Sequence, residues 1–191
     1  MSSENDIRWI NVLDDFFWSA YNQGIGIGST DPDDTYSYSP IKDHPTFVVD
    51  NAMYTIIDTG SSALIVSNYF FKDLIKLIFD KVGDDEYVFK GGYVYTRCYD
   101  NFPPIYFMFD GYWIEVLPEE YVWDSSRAQD RSQCALLISS TEGPLNILGM
   151  PLFHQYYTIH DTENGRIGYV PTNISPKGPL EEGEIPIKRL D

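Results

Sequence analysis

The sequence predicts a mainly β domain, built for the most part from antiparallel strands, with one clear helix. Three observations carry that expectation. Short runs of β-branched and aromatic residues recur along the chain, as at Phe47-Val48-Val49, Tyr54-Thr55-Ile56-Ile57 and Ile105-Tyr106-Phe107-Met108-Phe109, a composition that fits a pleated, half-buried surface. Asp110-Gly111 and Asn164-Gly165 stand between such runs, and pairs of that type supply the two positive-φ residues that a tight hairpin needs. One segment changes period: Phe70, Phe71, Leu74, Ile75, Ile78, Phe79 and Val82 recur at steps of three and four, which makes one apolar helix face that Gly83 would end.

Taken in order, Ile7 to Leu13 is strand-like and flanked by acidic residues. From Gln23 to His44 the chain becomes polar and turn-rich, with Gly24, Gly26 and Gly28 ahead of Asp31, Asp33 and Asp34; the expectation for residues 23–44 is an exposed loop inserted into the domain. Its glycines have the wrong spacing for a dinucleotide fingerprint, and its acidic cluster lacks the glycine and the final glutamate of a calcium loop. After the helix the strand-like runs resume at Tyr87-Val88-Phe89, Tyr93-Val94-Tyr95, Tyr112 to Val116, Ala135 to Ile138, Tyr156 to Ile159 and Arg166 to Val170. Residues 1–171 are expected to form the domain, and the proline-rich, aperiodic residues 172–191 an extended tail.

At 191 residues the chain has the length of one large domain and can bury a real core. Thirteen Lys and Arg against 29 Asp and Glu leave a net charge of −16, which excludes a partner gripped through its phosphates. The 15 Tyr, 11 Phe and 4 Trp rule out a chain disordered throughout. No run is long enough to span a membrane, and the first residues of the sequence as given have neither the basic nor the apolar part of an export signal. Cys98 and Cys134 are either two buried thiols or one bridge, and without a known compartment the thiols are favoured. Asn173-Ile174-Ser175 is a glycosylation acceptor triplet and points weakly the other way.

The informative segment is Tyr54-Thr55-Ile56-Ile57-Asp58-Thr59-Gly60-Ser61-Ser62-Ala63-Leu64. An apolar strand delivers a carboxylate into a turn of small residues, where hydroxyls and close backbone N–H groups order it. On its own Asp-Thr-Gly is ordinary turn chemistry. With two aliphatic residues before it and an apolar stretch and helix after it, the segment resembles the active-site strand of the pepsin-like aspartic proteases. Leu145-Asn146-Ile147-Leu148-Gly149 and the following Phe153 to Pro171 resemble the close of that family's C-terminal lobe, and Pro118-Glu119-Glu120-Tyr121 its short helical turn.

That resemblance covers residues 7 to 171 and implies a single lobe of a pepsin-like β-barrel with one or two short helices. It implies that Asp58 is one carboxylate of a catalytic pair that shares a proton, one member activating water and the other polarising the scissile carbonyl. Thr59 would tie two active-site loops together, Gly60 and Ser61 would support the carboxylate, and Ile147, Leu148 and Gly149 would pack beside the catalytic strand. Cys98 and Cys134 fall where the lobe carries a disulfide. The implied setting is lysosomal, vacuolar or secreted, with no cofactor and no metal.

The sequence departs from the family in holding one Asp-Thr-Gly-Ser where a whole enzyme has two such motifs; Asp110-Gly111, Asp124-Ser125 and Asp161-Thr162 lack the pattern. The flap tyrosine belongs to the other lobe, and Met150 replaces an acidic residue. The expected partner is therefore an N-terminal lobe or chain carrying a second Asp-Thr-Gly, with peptide as substrate. A homodimer pairing two copies of Asp58, and a non-catalytic binding or structural module that retains the lobe, are the competing readings. His44, His154 and His160 are too scattered to suggest a metal site, and Ser61-Ser62 lacks a nucleophile elbow.

Overall fold

The structure, a computed structural model, describes residues 7–14, 16–28, 46–124 and 133–172, with backbone alone for 46–52. Along the chain run β1 (Arg8–Asn11), β2 (Ser19–Ile27), β3 (Thr46–Ile57), β4 (Leu64–Ser67), α1 (Phe71–Val82), β5 (Tyr87–Lys90), β6 (Tyr93–Thr96), β7 (Ile105–Phe109) and β8 (Tyr112–Val116). There follow α2 (Pro118–Tyr121), β9 (Val122–Asp124), β10 (Cys134–Leu136), β11 (Ile138–Thr141), β12 (Leu145–Leu148), α3 (Met150–Gln155), β13 (Tyr156–Asp161) and β14 (Arg166–Pro171). The protein is mainly β, as the sequence predicts. The strands form three sheets, ordered β1-β14-β13, β5-β6-β10-β9 and β11-β4-β12-β3-β2-β7-β8.

Most pairs are antiparallel. Two are not: β11 runs parallel to β4, and β12 runs parallel to β3 in the register Leu145–Tyr54 to Leu148–Ile57. Since β12 is also antiparallel to β4, a strand from late in the chain is threaded between two that are close together in sequence. The Ile147-Leu148 run thus lies beside the strand that leads to Asp58.

Helix α1 buries Phe71, Leu74, Ile75, Ile78 and Phe79 against the sheets, the stripe that its period predicts. Gly83 ends it at φ 82°, a left-handed conformation that glycine adopts without steric cost, and its N–H closes on the Phe79 carbonyl. Phe79 stacks on Tyr87 with ring centroids 4.3 Å apart and meets Phe102 edge-on. Asp110 and Gly111 both take positive φ, 48° and 84°, and make the predicted tight turn between β7 and β8.

Several expectations are corrected. Gln23 to Ile27 is strand rather than loop: Gly24 and Gly26 pair with Met108 and Tyr106 of β7, and just past the strand a Cβ on Gly28 would come within 2.5 Å of Pro104. Residues 29–45, with the acidic cluster and His44, lie outside the described residues, as do Asn173 and the rest of the tail. Phe47-Val49 and Tyr54-Ile57 belong to one continuous strand. The run Ala135 to Ile138 is divided at Leu137 between two sheets.

Asn164-Gly165 is not a two-residue turn. Four residues, 162–165, connect β13 to β14, and of the expected pair Gly165 alone has positive φ, because the Asp161 carboxylate folds the loop by accepting from the Asn164 backbone and side chain and from Arg166. Beside α1 and the predicted helical turn of α2, α3 is a further short helix. It is too brief for its period to be read.

Cys98 and Cys134 are joined across a separation of 36 residues, linking the end of β6 to β10. The bond supports the reading taken from family resemblance over that of two free thiols. Closing a loop of that size is worth about 3–4 kcal/mol in the chain-entropy account. Replacing both cysteines with serine should therefore lower the denaturant midpoint and, because the freed unfolded chain exposes more surface, raise the slope, as followed by equilibrium unfolding; an unchanged midpoint would show that the bond contributes nothing.

Candidate active site

Strand β3 ends at Ile57 and releases Asp58 into a turn that is stitched from both sides. The Asp58 N–H donates to the Leu148 carbonyl at 3.0 Å, and the Ser61 N–H returns to the Asp58 carbonyl at 3.2 Å. The carboxylate is held by two donors: the Gly60 N–H reaches Oδ1 at 2.9 Å and the Ser61 hydroxyl reaches Oδ2 at 2.7 Å. Hydrogen bonds to an ionised oxygen are the stronger kind, so this carboxylate has a fixed direction. Asp58 and Ser61 are half-buried, while Thr59 and Gly60 are exposed.

The other wall is the end of β12. Gly149 passes so close beneath the turn that a Cβ there would sit 2.2 Å from the Ser61 carbonyl oxygen and 2.5 Å from that of Ala63. Its φ of −101° is open to any residue; space, not conformation, demands glycine. Immediately beyond, the Met150 N–H donates to that same Ser61 carbonyl at 2.8 Å.

Deeper in the sheet, Asn146 is wholly buried. Its Oδ1 accepts the Ser67 N–H at 3.0 Å and its Nδ2 donates to the Thr55 hydroxyl at 3.3 Å. One side chain of β12 thereby ties β4 to β3. It escaped the sequence reading, although an amide inside the apolar run Leu145 to Leu148 was the available signal, since a polar group in such a run needs internal partners.

A segment the sequence reading also missed flanks the site. Asp14 Oδ1 accepts the N–H groups of Phe16 and Phe17 at 2.8 and 2.9 Å, and its Oδ2 accepts the hydroxyls of Ser19 and Tyr54. The Ile57 N–H donates to the Trp18 carbonyl at 2.7 Å, so this loop is pinned to the residue before Asp58. Trp18 stacks on His160 with centroids 4.5 Å apart. Phe16 is 91% exposed, and a cavity of about 230 Å³ opens between this loop and the 162–165 turn.

This construction has known counterparts. The model of the family described as "Eukaryotic aspartyl protease" matches residues 3–172. The chain belongs to that family. It is 24% identical over 172 residues to the vacuolar aspartic protease of Candida albicans, covering 90% of this chain and 36% of that protein. Against gastricsin of Mus musculus it is 23% identical over 175 residues, 87% of this chain and 38% of the relative. Pepsin A of Bos taurus is 31% identical over 118 residues, 61% of this chain and 30% of the relative. The matched part of the chain thus spans about a third of the length of these relatives, from 30% to 38%.

In this fold Asp58, Thr59, Gly60 and Ser61 lie together with Ile147, Leu148 and Gly149. The remaining acidic candidates are placed elsewhere. Asp110 forms a turn, Asp124 lies 3.8 Å from the Cys98 sulfur, and Asp161 is consumed by its own hairpin, whose donors hold its carboxyl down at about 2. His154 pairs with Glu120 at 2.6 Å. Cys98, Asp124 and Cys134 are close enough to suggest a metal cluster, but the two sulfurs are bonded to each other and offer no thiolate.

Two outcomes test the geometry. Gly149→Ala should destabilise the chain by about 1–3 kcal/mol or more, read from its unfolding midpoint; a wild-type midpoint would show that the turn over Gly149 yields freely. The Asp14 carboxyl is held down at about 2 rather than 3.8, first by the Tyr54 hydroxyl and then by the two backbone N–H groups. A depressed acid stabilises the fold above its unfolded value and loses that contribution as pH falls through its folded one. The amide nitrogen shifts of Phe16 and Phe17 should therefore titrate together near pH 2, and a midpoint near 4 would contradict the anchor.

Proposed function

We propose that this chain is one lobe of an aspartic endopeptidase, with Asp58 supplying one carboxylate of the catalytic pair and a second lobe or chain supplying the other. The observation that carries the reading is the Asp58 carboxylate at the end of β3, oriented by the Gly60 N–H and the Ser61 hydroxyl and left accessible at the surface. A carboxylate so fixed is suited to take a proton from water as that water attacks a carbonyl. It fills one role at a time. The mechanism needs a base and an acid together, and two carboxyls that share one proton provide both, because close like charges do not both ionise.

Two further features favour a docked partner. Thr59 stands exposed at the tip of the turn, available to a facing loop. Among the described residues strand β13 is an outer member of its sheet, with the exposed Tyr157 on it, and offers a backbone edge to a further strand. Membership of a family that includes vacuolar aspartic protease and gastricsin supports peptide as substrate and an acidic vacuolar or secretory compartment as the setting.

The purified chain, verified as a monomer by native mass, should show no pepstatin-sensitive cleavage of an unfolded protein at any pH from acidic to neutral. Mixed with a lobe that carries a second Asp-Thr-Gly it should cleave, and Asp58→Asn should lower kcat/KM by at least about 1,000-fold. Cleavage by the monomer would overturn the need for a partner. Cleavage that appears only at concentrations where the chain dimerises would favour two copies of Asp58 over two different lobes.

A further inference from the structure

Away from the Asp58 turn, the β7–β8 hairpin carries a second, smaller core. Tyr106, Met108 and Trp113 pack there as a cluster of their own, Tyr106 and Trp113 meeting edge to face with centroids 6.5 Å apart. Glu115 lies on the same face as Trp113, directly across from Tyr106, and is only 4% exposed. A carboxylate so withdrawn from water ordinarily has a cation beside it. Here its partner is a phenol: the Tyr106 hydroxyl donates to Glu115 Oε1 at 2.7 Å.

We propose that Glu115 is an acid-set latch, a carboxylic acid buried in neutral form against Tyr106 that holds the β7–β8 hairpin in place under acidic conditions and loosens it toward neutrality. Among the described residues, the titratable groups around it are Tyr106 from β7, Glu119 from α2 and, against its backbone, Tyr156 from β13, whose hydroxyl accepts the Glu115 N–H at 3.1 Å. None of the three brings positive charge, and among the described residues no lysine, arginine or histidine forms an ion pair with Glu115. Ionisation therefore places inside the packed hairpin a charge that none of these groups compensates.

The latch has a mechanical reach. Glu115 is bonded through its own N–H to Tyr156, and the next N–H along that is fixed from the same side, that of Leu117, donates to the buried Gln155 at 2.8 Å. Gln155 and Tyr156 form the junction of α3 with β13, and α3 follows directly on Gly149 under the catalytic turn. Strain at Glu115 is thus passed to an element that begins at the candidate active site.

The direction follows from the proton balance. Burial pushes the Glu115 carboxyl above the ordinary 4.5, the Tyr106 bond opposes that rise, and Glu119 adds to it. An acid that holds its proton more tightly folded than unfolded gives its full support below its unfolded value and loses it as pH rises through the folded one. The loss begins near pH 4.5. Each unit by which burial raises the carboxyl is a tenfold change in the folding equilibrium, and about 3 °C of melting temperature in a chain of this size.

The test compares the full chain with Glu115→Gln, which keeps the shape and removes the titration. Between pH 4.5 and 7.5 the wild-type melting temperature should fall further than that of the variant, by about 3 °C for each unit of elevation. Parallel melting curves would overturn the latch. A second measurement stands independently of the variant's folding: in chain labelled at the glutamate side-chain carboxyl carbons, the Glu115 resonance should titrate with a midpoint above 4.5. A midpoint at or below 4.5 would equally overturn it. Neither readout requires proteolysis, so failure here and failure of the proposed enzymatic function are separately visible.

Discussion

The parallel contact between β12 and β3 is the constraint on which the rest of the site depends. Asp58 stands at the end of a strand, and a strand end left to itself frays. Here the Leu148 carbonyl receives the Asp58 N–H, the Met150 N–H takes the Ser61 carbonyl, and Gly149 lets the two backbones approach to a separation at which no side chain fits. The turn is clamped between partners that come from nearly ninety residues further along. The buried Asn146 secures the same arrangement from below: removing it would leave the buried Ser67 N–H without its acceptor, while the Thr55 hydroxyl keeps only its bond to the Met53 carbonyl.

Such a clamp explains the division of labour among the elements. Helix α1 and the aromatic rings of Phe79, Tyr87 and Phe102 fill the volume against the sheets and add apolar burial to a core that the strands also line. The polar network along β12 contributes less to net stability and more to register. A one-residue slip of β12 would bring Leu148 or Met150 to the place that only Gly149 can occupy, so the wrong pairing is excluded by sterics before any hydrogen bond is counted.

The helix was legible because its apolar stripe spans three turns and ends at a glycine, and the Asp110-Gly111 hairpin because its turn chemistry is local. Asp58 was legible only through the wider segment and its family resemblance, since Asp-Thr-Gly by itself is ordinary turn chemistry. The parallel placement of β12 was not, since pairing partners far apart in sequence leave no periodicity; family resemblance alone put Ile147 to Gly149 beside Asp58. Gly24, Gly26 and Gly28 misled for a physical reason: glycine signals a turn when it supplies positive φ, but Gly24 and Gly26 pair within the sheet and Gly28 supplies closeness to Tyr106 and Pro104. Asn164-Gly165 misled because the Asp161 side chain, not the turn pair, shapes the hairpin. Asp14 was hidden in an acidic stretch, where nothing in the sequence separates an anchoring carboxylate from a solvated one.

The acidic balance of the chain becomes intelligible when its carboxylates are sorted by environment. Asp14 and Asp161 are supported by donors and hold their charge down to about pH 2, so the loop beside Asp58 and the hairpin of β13 and β14 keep their anchors in acid. At Glu115 burial, aided by Glu119, favours the uncharged form over the opposing bond from Tyr106. The two arrangements have opposite signs of linkage to pH, and their ranges do not overlap: the first fails only in strong acid, and the second weakens on the way to neutrality. Between those limits every one of these groups is in its preferred protonation state. That interval is moderately acidic, and it is also where most of the chain's exposed carboxylates begin to lose charge and repel one another less. The fold is therefore suited to acid by specific placements, and its net charge of −16 alone would not have established it.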